Sequence, residues 1–241
     1  MMDRDIDDVV LQLGTPGDLA GRWRVDESRT PKSAEQKTRE AQGSFSIDLS
    51  PVEFTGSVPR PARAKADGTF EFKGVPPGEY RVGVSAAFGT YVRSLRFEGQ
   101  EVVNRIVRVG LGGGQLEIVF GRDGGMVKGV VRDDKGQPVK GVRVAMWDAR
   151  VKAGETVPYY EQGAATSAGE FSFGSLPPGE YRIAAWMAAD PKVVSSMESP
   201  EFLLQFNGQA TAVKVGPDSE QSVDVKTVGK EAIDKALEKL P

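Results

Sequence analysis

"GTFEFKGVPPGEYRVGV" at Gly68–Val84 returns as "GEFSFGSLPPGEYRIAA" at Gly169–Ala185. The offset is a constant 101 residues, and nine of the seventeen positions are identical. Phe70 and Phe72 alternate with Thr69, Glu71 and Lys73, and Phe171 and Phe173 alternate likewise. Period two means a strand with one buried face. Pro-Pro-Gly then interrupts the ladder: proline lacks the N–H that a central strand needs, and the glycine is expected to supply a positive φ for a tight turn. Alternation resumes with Tyr80/Val82/Val84 and Tyr181/Ile183/Ala185. Each copy therefore reads as strand, turn, strand.

Working outward, "VVLQLGTPGDLAGRWRVD" (Val9–Asp26) resembles "LEIVFGRDGGMVKGVVRD" (Leu116–Asp133), with Gly21 facing Gly129 at an offset of 108. The first copy carries its extra residues in the polar loop "DESRTPKSAEQKTREAQG" (Asp26–Gly43). Further alternating runs are "SFSIDL", "YVRSLRFEG" and "RIVRVGL" in the first copy and "GVRVAMWD", "ATAVKVG" and "SVDVKTV" in the second. Short strands at such spacing, separated by turn signals, predict sandwiches. Only "KEAIDKALEKL" (Lys230–Leu240) reads as helix, with Ile233, Ala236, Leu237 and Leu240 on one stripe. A repeat near 105 residues is too long for a solenoid unit and has the size of a whole domain. The expected division is 1–114, 115–229 and a helical tail 230–241, with the glycine-rich "GLGGG" as a linker joining the halves near Gly112–Gln115.

Composition narrows the chemistry. With 241 residues, 39% hydrophobic and 27% charged, the chain can bury ordinary cores without staples. It has no Cys and no His, which removes thiol nucleophiles, thiolate metal sites, Ser-His-Asp catalysis and zinc hydrolase chemistry in their usual forms. A formal net charge of −3 predicts no attraction to nucleic acid. No apolar run is long enough to span a bilayer. The start "MMDRDIDDVV" is acidic and lacks the apolar core of a signal peptide. An exported location therefore carries the expectation that the sequence is cut from a longer chain.

The run "VKGVVRDDKGQPVKGVRVAMWD…ATSAGEFSFGSLPPGEYRIAAW" resembles the carboxypeptidase regulatory-like domain, a prealbumin- or transthyretin-like β-sandwich, and is similar to the B-type repeats of collagen-binding surface proteins. The hairpin with its Pro-Gly-x-Tyr turn is the specific part. The pattern is strong over about Met126–Val228 and weaker over Asp5–Leu111. The resemblance implies an all-β chain: two tandem transthyretin-like or Ig-like sandwich domains, about seven strands in two sheets each, with a short C-terminal helix. It also implies non-catalytic accessory modules of secreted or envelope proteins. Some relatives carry Lys–Asn isopeptide crosslinks, but this chain has only Asn104 and Asn207, so none is expected.

The candidate sites weigh toward structure. Glu79/Arg81 and Glu180/Arg182 recur but fall one step out of phase with the tyrosines, toward solvent. Tyr80 and Tyr181 are read as structural, with hydroxyls bonded to backbone near the turn. "RDDKG" (Arg132–Gly136) lacks the ligand spacing of a calcium loop and reads as a turn. "MESPEFLLQFNG" (Met197–Gly208) reads either as a half-turn of helix capping a sandwich, the favoured reading, or as an exposed docking segment. Adjacent Tyr159 and Tyr160 cannot share one sheet face, so one is expected to be exposed. With Phe88, Tyr91 and Trp186 they form the candidate contact patch, although Trp186, like Trp147, stands on an apolar strand position that favours core packing. No catalytic residue, cofactor or metal ligand is assigned, and the chain is not expected to be an enzyme. The expected role is a structural or interaction unit of an extracellular, periplasmic or envelope protein, meeting protein partners or neighbouring domains. The alternative is a carbohydrate-binding module that takes glycan on those aromatics.

Overall fold

The alternating runs become strands whose buried residues fall on every second position, as in β1 (Gly17–Val25) and β4 (Thr69–Val75). The structure, a computed structural model, describes residues 15–26, 45–53, 58–85, 89–102, 105–155, 157, 159–187 and 191–240. In the N-terminal half the other strands are β2 (Ser46–Pro51), β3 (Ala62–Arg63), β5 (Gly78–Ser85), β6 (Tyr91–Phe97), β7 (Gln100–Glu101), β8 (Ile106–Val109) and β9 (Gly114–Gly121). They form two sheets, ordered β4-β1-β9-β6-β7 and β3-β2-β5-β8. Leu19, Phe70, Phe72, Tyr80, Val82, Leu116, Ile118 and Phe120 fill the space between them.

The C-terminal half repeats this plan. Its strands are β10 (Gly125–Arg132), β11 (Val142–Asp148), β12 (Tyr160–Ala164), β13 (Glu170–Leu176), β14 (Gly179–Met187), β15 (Thr211–Val215) and β16 (Glu220–Val228). Register makes the duplication explicit. Gly21 faces Phe70 and Leu19 faces Phe72 across β1 and β4, while Gly129 faces Phe171 and Val127 faces Phe173 across β10 and β13. Both pairs bulge at their start, and both first strands take a parallel partner on the other side, β9 and β16. The fold is all-β: two β-sandwiches with a short C-terminal helix.

Each corner is held by its tyrosine. The Tyr80 hydroxyl donates to the Pro76 carbonyl at 2.7 Å and that of Tyr181 to Pro177 at 2.6 Å, with both rings buried. This matches the backbone tie expected of a corner tyrosine. The positive φ, however, lies four residues before the expected glycine: at Gly74 (60°) and Ser175 (59°). A Cβ at Gly179 would come within a tight 3.3 Å of the Tyr181 ring, whereas one at Gly78 would meet Tyr80 at an ordinary 3.6 Å.

Two expectations are corrected. The stretch at Gly112–Gln115 is not a linker between the halves. Gly112 and Gly113 (φ 90° and 87°) make a tight turn into β9, which runs parallel to β1 from Leu19↔Gly114 to Val25↔Phe120. A residue with a Cβ at 113 would strike the Asp18 carbonyl oxygen at 1.8 Å, so close approach to β1 dictates glycine there. The chain crosses between halves later, at Gly121–Gly125. Nor are the C-terminal helix and the cap at Met197–Gly208 the only helical segments. The helices α1 (Pro191–Ser196), α2 (Pro200–Leu204) and α3 (Lys230–Leu237) cover the outer face of β11 and β14. Phe202, Leu203, Phe206, Ile233 and Ala236 pack there on Trp147 and Trp186. Ser199 caps α2, its hydroxyl accepting from the Phe202 N–H, and Phe202 and Leu203 lie inside the protein as a cap requires.

Candidate functional site

The crossing segment is tied to both sides. The Asp123 carboxylate is buried (2% exposed) and accepts from the Tyr91 hydroxyl at 2.8 Å. It also pairs with Arg93, which holds Asp26 with its other nitrogen. The Asp123 carbonyl accepts from the Asp218 N–H at 2.9 Å in the other half. Gly89 N–H donates to Ser175 Oγ at 3.0 Å across the same joint. Burial opposes ionisation of Asp123, but the hydrogen bonds from Tyr91 and Arg93 outweigh it and hold the carboxyl below its usual range. Burial and the acceptor at Asp123 push the Tyr91 phenol up to about 12.

Beside this joint lies a cavity of about 520 Å³. One wall is β5 at Arg81–Val84, with Tyr91 and Arg105; the other is Val157, Tyr159, Tyr160, Glu161 and Ser175. Three of the five expected patch residues, Tyr91, Tyr159 and Tyr160, thus meet around one space, contributed from two halves. Phe88 lies outside the described residues. Trp186 does not belong: it is fully buried and stacked on Trp147 at 6.1 Å between ring centroids. Its strand is covered on both faces, so no residue in its middle reaches solvent.

The expectation that one tyrosine of the pair is exposed also fails, although alternation holds. Tyr159 turns toward the sandwich core, edge-on to Tyr181 at 5.5 Å, and Tyr160 turns to the opposite face against the helical layer. Each is half-buried because each face has its own cover. The Tyr159 hydroxyl donates to Glu161 at 3.2 Å. That of Tyr160 is buried with no hydrogen-bond partner. Burial is the main cause that pushes both phenols up.

Sequence reading missed Arg105. Arg81 is exposed at its strand position, as its phase requires, and it also borders the cavity. Arg105 sits at φ 54°, a conformation uncommon for a side-chain-bearing residue, with its carbonyl accepting from Val82 N–H at 2.7 Å. Burial is the largest influence on Arg105 and lowers its pKa; Tyr159 opposes this and Arg81 adds to it. Arg105 opens the alternating run "RIVRVGL", in phase with the buried Val107 and Val109, but nothing in the run marks an arginine beside a cavity. Elsewhere, Glu79 pairs with Arg108 at 2.7 Å and Glu180 with Lys214 at 3.5 Å, which leaves the recurring Glu–Arg phrase as surface. Asp133 accepts from Lys135 and Gln137 N–H at 2.9 and 2.8 Å, an Asx turn rather than an ion loop. Among the described residues, no three His, Cys, Asp or Glu cluster as a metal would need, and no helix is long and apolar enough to cross a membrane.

No protein-family model matches this chain, and no curated protein matches it either. Among solved structures it is similar to the minor pilin GBS52 of Streptococcus agalactiae, at 14% identity over 89% of this chain and 97% of that one, with a TM-score of 0.32. The shaft pilin SpaA of Lactobacillus rhamnosus GG matches at 10% identity over 89% and 98%, TM-score 0.30. The TIE protein of Bacillus anthracis matches at 15% identity and TM-score 0.29; 89% of this chain is covered, but it spans only 34% of that protein.

Proposed function

We propose that this chain is a pair of β-sandwich modules, divided at Gly121–Gly125, that serves as a non-catalytic structural and interaction unit of an exported envelope or extracellular protein. The observation that carries the reading is the joint. Asp123 bonds one half through its carboxylate and the other through its carbonyl, and Ser175 adds a second tie. A spacer or assembly unit must transmit orientation along its length, and a polar network closed around the connecting segment does this. A free glycine linker, as expected at Gly112–Gln115, would not.

Partners are protein chains or neighbouring domains. Each half ends one sheet on its hairpin strand, β4 or β13, seven residues long and, among the described residues, with no strand paired on its other side. An extended segment can add to such an edge through main-chain hydrogen bonds. The resemblance to carboxypeptidase regulatory-like domains agrees with two accessory modules in tandem. The carbohydrate-binding alternative has no exposed aromatic platform among the described residues to favour it. The test is made on intact cells carrying the native gene. Protease shaving should remove the chain from outside, and amine crosslinking should join it to other envelope chains. Recovery of an uncrosslinked chain in the cytosolic fraction overturns the reading.

A further inference from the structure

The cavity between the halves sets two cations against one carboxylate, that of Glu161. Arg81 and Arg105 both line it, and among the described residues neither side chain makes a hydrogen bond or an ion pair within 4.0 Å. Two neighbouring guanidinium groups, one largely enclosed, are costly to hold without an anion. The backbone of Arg105 adds to that cost, since a positive φ on a side-chain-bearing residue persists only when the surroundings impose it.

We propose that this cavity binds a small organic monoanion, a carboxylate attached to a flat ring, with Arg81 and Arg105 holding the carboxylate. The ring belongs to the tyrosine walls, Tyr91 from one half and Tyr159 from the other. Planar guanidinium groups match a carboxylate in charge and in donor spacing. The volume of about 520 Å³ lies in the range of small-molecule sites. The single negative charge follows from what else lines the space. Glu161 forms part of the wall, and Glu155, Glu198 and Glu201 line an adjoining cavity that shares Arg81 and Tyr160. These acids disfavour a dianion such as phosphate while leaving a carboxylate neutralised by two arginines. Because the walls come from both halves, an occupant also fastens the joint.

The test is an amide-resolved NMR titration of the full chain with benzoate, with benzamide and inorganic phosphate as comparison probes. Benzoate should shift the amides of Arg81, Arg105 and Tyr160 saturably. Arg105→Gln and Arg81→Gln should each weaken it about tenfold or more. Arg81 lies on an exposed strand position, so its variant reads the site even if Arg105→Gln impairs folding. Shifts confined elsewhere, affinity unchanged in Arg81→Gln, or equal binding of benzamide or phosphate overturns the proposal.

Discussion

β5 and β14 begin alike, from the same Pro-Pro-Gly-Glu-Tyr-Arg, and finish differently. β5 buries one face and leaves Glu79, Arg81 and Ser85 outward. β14 is buried on both faces from Ile183 to Trp186, and so is its neighbour β11 from Val144 to Asp148. The cause lies in what each half inserts before its next shared strand. The N-terminal half inserts the β6–β7 hairpin, which joins a sheet edge beside β9. The C-terminal half inserts α1 and α2, which with α3 roof the outer face of β14. With no hairpin beside it, β16 is free to touch β14 at Ala185↔Thr227 and Trp186↔Val228, linking the sheets into one path. One corner motif thus supports a wet face or a second core, depending on the connection that follows.

The largest effect should come from the second core. Trp186→Ala opens a cavity under three helices and should cost about 3–5 kcal/mol. Ser85→Ala, 101 residues earlier, should stay within about 0.5 kcal/mol. Urea denaturation followed by circular dichroism measures both, and a similar cost at the two positions would erase the distinction between the faces. Next comes the joint. Asp123→Ala leaves Arg93 without its buried partner and should cost about 3 kcal/mol. Calorimetry should then resolve two transitions, one per half; a single unchanged transition would mean that the halves are coupled by something else.

A smaller and symmetric effect is expected at the corners. Tyr80→Phe and Tyr181→Phe each remove one hydroxyl-to-carbonyl bond and should each cost about 1 kcal/mol. Markedly unequal costs would show that the two corners are not energetically the same device. The last comparison is against solvent. All five tyrosines have phenols raised by burial, Tyr91 to about 12. A raised folded value means that the neutral form is favoured in the native state. Its stabilisation is complete below the unfolded value near 10 and is lost as pH rises through the folded one. Tyrosinate absorbance should therefore appear together with alkaline unfolding, and a tyrosine titrating near 10 in the folded chain would contradict its burial.

Much of this was legible in the residues. The Phe70/Phe72 and Phe171/Phe173 alternation located the hairpins and their buried faces, and Tyr80 and Tyr181 lie where period two requires. The cap around Phe202 was readable as an apolar segment after Pro200. The candidate patch was half legible. Aromatic loop residues Tyr159, Tyr160 and Tyr91 did converge, but Trp186 sat in a strand whose continuous apolar run, "AAWM", already indicated burial on both sides. Arg105 was legible only as the start of the alternating run "RIVRVGL", because its importance comes from a neighbour in the other half.

Local periodicity determined, from the chain alone, which segments are strands, which of their faces avoid water, and that the architecture is repeated. It could do so because side-chain direction in a strand depends only on position parity. What covers each face, where the halves divide and which charges meet between them were decided by the tertiary structure. Those outcomes depend on contacts between residues far apart in sequence, such as Gly113 against Asp18, Tyr91 against Asp123 and Arg105 against Tyr159, and no local pattern encodes such a meeting.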